Sequence, residues 1–232
     1  MQPELQPRGA YGGTVALGTE QQRVLRNTYL MLAVTMIPTV IGAIVGINTN
    51  FSFLAQSPIM GSLIMFAVII GAMFGIAALR NSVWGVVAML AFTFLMGWWL
   101  GPILQYALRL SNGAQLVGLA AGSTAVIFFG LATYVTTTRK DFSFLGKFLF
   151  VGLILLIIGS LANLFFQVPA ASLTISAVAV LLFAGYMLYD VSDIVNGGET
   201  NYVMATLRVY IDIYQMFVHL LHLLLAFAGN RE

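Results

Sequence analysis

The stretch YVMATLRVYIDIYQMFVHLLHLLLAF, residues 202–227, decides how this chain is read. It is long and apolar enough to cross a bilayer, which takes roughly 20 predominantly apolar residues. Yet it carries Arg208, Asp212, Gln215, His219 and His222, at offsets of 0, 4, 7, 11 and 14 residues. At about 100° per residue these five share one helical face. Ionisable groups in a membrane helix are costly and normally face a bundle interior or a wet cavity, where they mark an ion or proton path. The alternative is a polar seam satisfied by neighbouring helices, since interhelical polar contacts are common in such bundles.

Working outward, the membrane assignment rests on where charge is missing. No Asp, Glu, Lys, Arg or His occurs in 27–79, 81–108, 110–138 or 148–189. The chain is 60% hydrophobic and 8% charged, against about 25% charged in soluble domains, which excludes a water-soluble globule. Cutting the uncharged runs at their polar or Pro-bearing breaks gives spans at 27–47, 58–79, 83–106, 116–135, 148–166, 172–196 and 202–227. The expected fold is an all-α integral membrane protein, a bundle of seven transmembrane helices at 27–232. Residues 1–26 precede it as a polar tail with Pro3, Pro7 and a glycine pair, a composition that reads as disordered.

Basic residues orient the bundle, because cytoplasmic loops retain Lys and Arg. Arg8, Arg23, Arg26, Arg80, Arg139, Lys140, Lys147 and the edge residue Arg208 fall on one side, Arg109 and Arg231 on the other. The N-terminus is therefore expected in the cytoplasm and the C-terminus outside, in the periplasm. The polar tail lacks the pattern of a cleaved signal peptide, so the first helix is expected to remain as an anchor. The chain has no cysteine, which excludes disulfides and thiol-ligated metals.

Within the helices, Gly42 and Gly46, Gly71 and Gly75, Gly97 and Gly101, and Gly118 and Gly122 form small-residue pairs four apart. That spacing lets helix backbones approach closely in lipid, although glycine is also simply frequent in membrane helices. Pro38 is expected to kink the first helix, and Trp98 and Trp99 fit an interfacial belt. The last two helices form a tight hairpin, with Asn196-Gly197-Gly198 as stop signal and Thr200 as a candidate N-cap. Asp190 and Asp193 then lie one to two turns inside one helix and Asp212 about three turns inside the next. Asp190 and Asp212 are within reach of each other at this spacing; Asp193 reads more simply as a solvated residue at headgroup level.

Met187-Leu188-Tyr189-Asp190 and Val209-Tyr210-Ile211-Asp212-Ile213 resemble the paired acidic signature of the Bax inhibitor-1 (transmembrane Bax inhibitor motif) family of seven-helix proteins. Four further segments, 25–29, 101–104, 138–146 and 197–202, resemble its bacterial branch of inner-membrane modulators of the FtsH protease. The resemblance implies a multi-pass protein of the bacterial inner membrane with FtsH as partner. It also implies that Asp190 and Asp212 act as a proton and ion sensor, with Arg80 engaging the pair in a closed state. In relatives described as pH-sensitive calcium leaks, an acidic residue stands about three turns before that arginine. This chain has Ile69 and Ile70 there, which puts the ion path in doubt. The physical logic of the pair is independent of family: two close carboxylates resist joint ionisation.

Three function classes follow. The favoured one is a regulatory protein that binds the membrane-anchored protease and limits degradation of membrane proteins, with the tail as a segment the protease could grip. The second is a proton-gated cation or calcium leak using Asp190 and Asp212, a weak calcium site at most, with Arg80, Asp193, Arg208, Gln215, His219 and His222 as a supporting polar seam. The third, an intramembrane enzyme, lacks its motifs. Asp212 follows Val209-Tyr210-Ile211 and not the Gly-x-Gly of intramembrane aspartyl proteases, and no Glu stands between His219 and His222 as in the His-Glu-x-x-His zinc motif. No enzyme activity, cofactor or nucleic-acid partner is expected; protons, calcium and the lipid bilayer are the other partners considered.

Overall fold

The computed structural model describes residues 18–52 and 58–229. The tail residues 1–17 and Arg231, used above for the disorder and orientation arguments, lie outside the described residues. Among the described residues the structure is helical throughout and without strands. The elements are α1 (Thr19–Ile47), α2 (Pro58–Leu79), α3 (Val83–Trp99), α4 (Gly101–Ala107), α5 (Gly113–Thr138), α6 (Leu145–Phe166), α7 (Pro169–Val195) and α8 (Tyr202–Gly229). Six helical stretches are long and apolar enough to cross a membrane, with α3 and α4 counted as one, and α2 supplies a shorter apolar stretch, Leu63–Leu79. Large apolar side chains such as Phe74, Val126, Phe148 and Leu181 point outward, the arrangement expected where lipid is the solvent.

Four helices begin earlier than the expected spans. α1 starts at Thr19 and not at residue 27, α5 at Gly113, α6 at Leu145 and α7 at Pro169. The physical reason is that a helix does not stop at the edge of the hydrocarbon layer, so apolarity locates the crossing and not the helix ends. α1 runs through Pro38 as one helix. The third span, by contrast, is interrupted at Leu100, whose N–H bonds to the Gly97 carbonyl one residue short of the α-helical partner. Pro102 stands in the first turn of α4; lacking an N–H, it cannot continue the helical ladder from α3.

At α8 the N-cap is Asn201 and not Thr200. Asn201 Oδ1 accepts hydrogen bonds from the N–H groups of Val203 at 3.0 Å and Met204 at 3.1 Å, satisfying donors that a helix start leaves free. Gly197, at φ +81°, supplies the left-handed residue that ends the α7 turn.

The core centres on α8, which packs against α1, α5 and α7. Val203, Leu207, Tyr210, Met216 and Leu221 are fully buried there. α6 lies outside α7 on a separate small cluster of Leu149, Leu156, Ala179, Leu182 and Phe183. The glycine pairs divide. A Cβ on Gly42 or Gly46 would collide with the backbone at Phe94 and Trp98, and one on Gly97 or Gly101 with the backbone at Thr39 and Gly46, so α1 and α3 touch main chain to main chain. Gly71, Gly75, Gly118 and Gly122 have nothing within 4 Å of that position; the expected close packing does not occur at those two pairs.

One end of the bundle gathers the turns that carry most of the basic residues. Asn201 Nδ2 donates to the Arg80 carbonyl at 3.1 Å and to Asn81 Oδ1 at 2.9 Å. Ser192 Oγ receives the Phe142 N–H at 2.9 Å and donates to the Lys140 carbonyl at 3.1 Å, and Gln21 lies over Gly197. At the opposite end Trp98 Nε1 donates to Thr49 Oγ1 at 3.0 Å. There Gln105 Nε2 lies 2.8 Å from the Thr49 carbonyl and 2.9 Å from that of Ile47.

Candidate functional site

The polar face of α8 resolves into two groups, one toward each end, that meet different residues of the antiparallel α7. Toward the α7–α8 turn, Asp190 and Asp212 are buried, at 6% and 3% exposure. Their carboxyl groups lie within hydrogen-bonding reach of one another, a contact two carboxyl groups make when one carries a proton. Asp212 Oδ2 is fully buried and meets no hydrogen-bond partner among the described residues.

Arg208 is the cation of this group. Its guanidinium stands 2.9 Å from Asp193 Oδ2, 3.1 Å from Glu199 Oε2 and 4.0 Å from Asp190 Oδ1. Asp193 is therefore not simply solvated at headgroup level but holds an ion pair from the last turn of α7. Its carboxylate also fills the space where Gly198 would carry a Cβ, so the turn and the ion pair are built together. The Arg80 side chain is exposed and makes no ion pair among the described residues; only its carbonyl joins this end, through Asn201. The structure brings Arg208 to the carboxylates and leaves Arg80 apart. Glu199 escaped the sequence reading of the site. It also accepts the Asn201 N–H at 2.9 Å, and its place depends on how the Gly197-Gly198 turn folds back, which residue spacing does not disclose.

Toward the far end, His222 Nδ1 lies 2.9 Å and His219 Nδ1 3.3 Å from the same hydroxyl, Ser176 Oγ on α7. Ser176 was also missed, because a single serine in an apolar helix carries no signal of its own. The histidines border a cavity of about 830 Å3 whose polar lining includes Ser160, Asn163, Gln167 and Ser172. A smaller cavity of about 500 Å3, with Ile103, Val218 and Leu225 in its lining, is also bordered by both histidines. Gln215 lies between the two polar groups, half-buried.

The arrangement permits proton sharing at the acidic end and wetting at the histidine end. Calcium takes 6–8 oxygen ligands, and among the described residues no three His, Cys, Asp or Glu side chains converge to hold a metal ion.

Comparison with known proteins bears on the whole of this architecture. A family profile described as "Inhibitor of apoptosis-promoting Bax1" matches residues 21–229. The "Modulator of FtsH protease YccA" of Escherichia coli is 40% identical over 202 residues, covering 87% of this chain and 89% of that protein. An uncharacterized protein of Pseudomonas aeruginosa is 42% identical over 209 residues, covering 90% of this chain and 91% of that protein. An uncharacterized membrane protein of Vibrio cholerae is 39% identical over 205 residues, covering 88% and 90%.

Proposed function

This chain belongs to the Bax inhibitor-1 family, and on that footing we propose that it binds the membrane-anchored FtsH protease and limits its degradation of membrane proteins. It is a multi-pass protein of the bacterial inner membrane. One observation carries the functional reading: the similarity to the Escherichia coli modulator extends over 89% of that protein, so it covers the bundle as a whole and not a shared helix pair. The reading is a regulatory one and not an enzymatic one.

In this reading the end that gathers Arg80, Arg139, Lys140 and the α7–α8 turn faces the cytoplasm, following the retention of basic residues there. A protease that grips cytoplasmic ends would meet the N-terminal tail at that face. The bundle behind it, with α1 locked main chain to main chain on α3, would resist extraction. The direct test is isolation from native membranes in mild detergent. Co-purification of the protease, together with slower decay of its membrane substrates when this chain is overproduced, is the expected result. Recovery of the chain without the protease, and unchanged substrate decay, would reject the proposal.

The contact between Asp190 and Asp212 favours a second reading, in which the same bundle senses pH. Two carboxyl groups joined through one proton lose that link when both ionise. Asp190 and Asp212 would then set how tightly α7 and α8 are held, and a proton or calcium leak would be the flux consequence.

A further inference from the structure

The faces that α7 and α8 turn toward each other pair polar groups at both ends, and between the two groups α8 carries the half-buried Gln215. Asp190 and Asp193 meet Asp212 and Arg208 at one end, and Ser176 meets His219 and His222 at the other. Between them stands Phe183, 4% exposed. Its ring lies parallel to that of His219 with centroids 6.4 Å apart, and 6.1 Å from that of Tyr186. Tyr186 in turn is within electrostatic reach of Asp212 and Asp190. On the α7 side one aromatic ring therefore neighbours both a residue near the acidic pair and a histidine that borders the larger cavity.

The chemistry at the cavity is specific. One hydroxyl lies within hydrogen-bonding distance of two imidazole Nδ1 atoms, and a serine hydroxyl has a single hydrogen to donate. It can therefore donate to one ring and accept from the other only if the two neutral histidines hold opposite tautomers. Around them α4 contributes Tyr106, α6 contributes Ser160 and Asn163, the following turn Gln167 and α7 Ser172; among the described residues the lining carries no Asp, Glu, Lys or Arg. A polar cavity of about 830 Å3 is far roomier than the ~30 Å3 a water molecule occupies in the liquid.

We propose that Ser176, His219 and His222 form a proton-transfer relay at the floor of this cavity, and that Phe183 is the plug separating the relay from Asp190 and Asp212. In one step, His222 takes a proton at Nε2 from hydronium in the cavity, leaving a water molecule, and passes its Nδ1 proton to Ser176 Oγ. The serine's own hydrogen moves at the same time to Nδ1 of His219. One O–H bond breaks and one forms, so the serine is unchanged and His219 holds the proton, facing Phe183. Onward transfer to the acidic pair requires that ring to move aside.

This inference goes beyond the protease reading and does not rest on it, since the test uses the full-length protein alone in sealed vesicles. A trapped pH-sensitive dye reports proton entry driven by a potassium diffusion potential. Phe183→Ala is expected to raise the proton flux at least tenfold over the parent, and adding Ser176→Ala should return it to the parental rate. A Phe183→Ala protein with parental flux, or one whose flux ignores Ser176→Ala, would overturn the proposal. Should Phe183→Ala fail to fold, nitrogen NMR of the unaltered protein decides. Opposite tautomers on His219 and His222, lost in Ser176→Ala, support the relay, and the same tautomer on both rings refutes it.

Discussion

Thr39 and Tyr210, on the first and last helices of the bundle, share a hydrogen bond of 2.9 Å between their hydroxyl groups. The Tyr210 hydroxyl also lies 3.4 Å from the Thr93 carbonyl, so one phenol links α1, α3 and α8 at the centre of the bundle. Tyr210→Phe should cost about 0.6 kcal/mol and at most about 2, the range measured for interhelical hydrogen bonds in membrane proteins. In a double-mutant cycle with Thr39→Val, read by unfolding in mixed detergent micelles, the two losses should overlap. Full additivity would show that the hydroxyls do not act as a pair.

The glycine pairs give a contrast within one molecule. Gly97→Ala places a methyl group against the Thr39 backbone and should destabilise by about 1–3 kcal/mol or more through overpacking. Gly71→Ala and Gly118→Ala meet open space and should be neutral or stabilising, because alanine gains up to about 1 kcal/mol over glycine inside a helix. Equal losses at all three sites in thermal unfolding would mean that the open faces are occupied in the membrane.

Arg208 and Arg80 should also differ. Arg208→Ala leaves Asp190, Asp193 and Glu199 without the cation within 4.0 Å that they now share. Removing one partner of a buried ion pair costs about 3–5 kcal/mol. The Arg208 side chain is 39% exposed, so solvent screening should bring the loss to about 1–3 kcal/mol. Arg80→Ala should change stability by less than about 0.5 kcal/mol, as surface substitutions do. Chemical unfolding of the two variants side by side distinguishes them, and a larger loss for Arg80→Ala would place the cation elsewhere in the working protein.

For the acidic pair the sign follows from the repulsion between two close carboxylates. Raising the pH until both carboxyl groups ionise should break their contact and increase the distance between α7 and α8, measured between spin labels on the two helices. Asp212→Asn should flatten the titration, because an amide donates to Asp190 without needing a proton. Superimposable curves for the parent, Asp190→Asn and Asp212→Asn would remove the pair from any sensing role.

The tail prediction concerns turnover. Deleting residues 1–17 leaves the helix that begins at Thr19 and should lengthen the protein's own half-life in cells with active protease, as read by pulse-chase labelling. An unchanged half-life would take the tail out of the mechanism.

Much of this architecture was legible because lipid punishes charge. Gaps in Asp, Glu, Lys and Arg located the crossings, and the period of the polar residues placed Arg208, Asp212, His219 and His222 on the face that meets α7. What the sequence withheld were features set by neighbours and turns. Gly42 and Gly71 sit in identical four-residue pairings, yet only Gly42 has a helix against it. Arg208 reaches Glu199 because the chain reverses at Gly197, and the interruption at Leu100 follows from a proline two residues later that composition alone passes over.

Asn201 has a practical consequence for anyone tagging this protein. With one side chain it starts α8 and bridges to the Arg80-Asn81 turn, 120 residues earlier in the chain. Neither of those turns is a free connector, although both are short, polar and at the surface of the bundle. A reporter or epitope inserted at either one would uncouple the register of two hairpins at once.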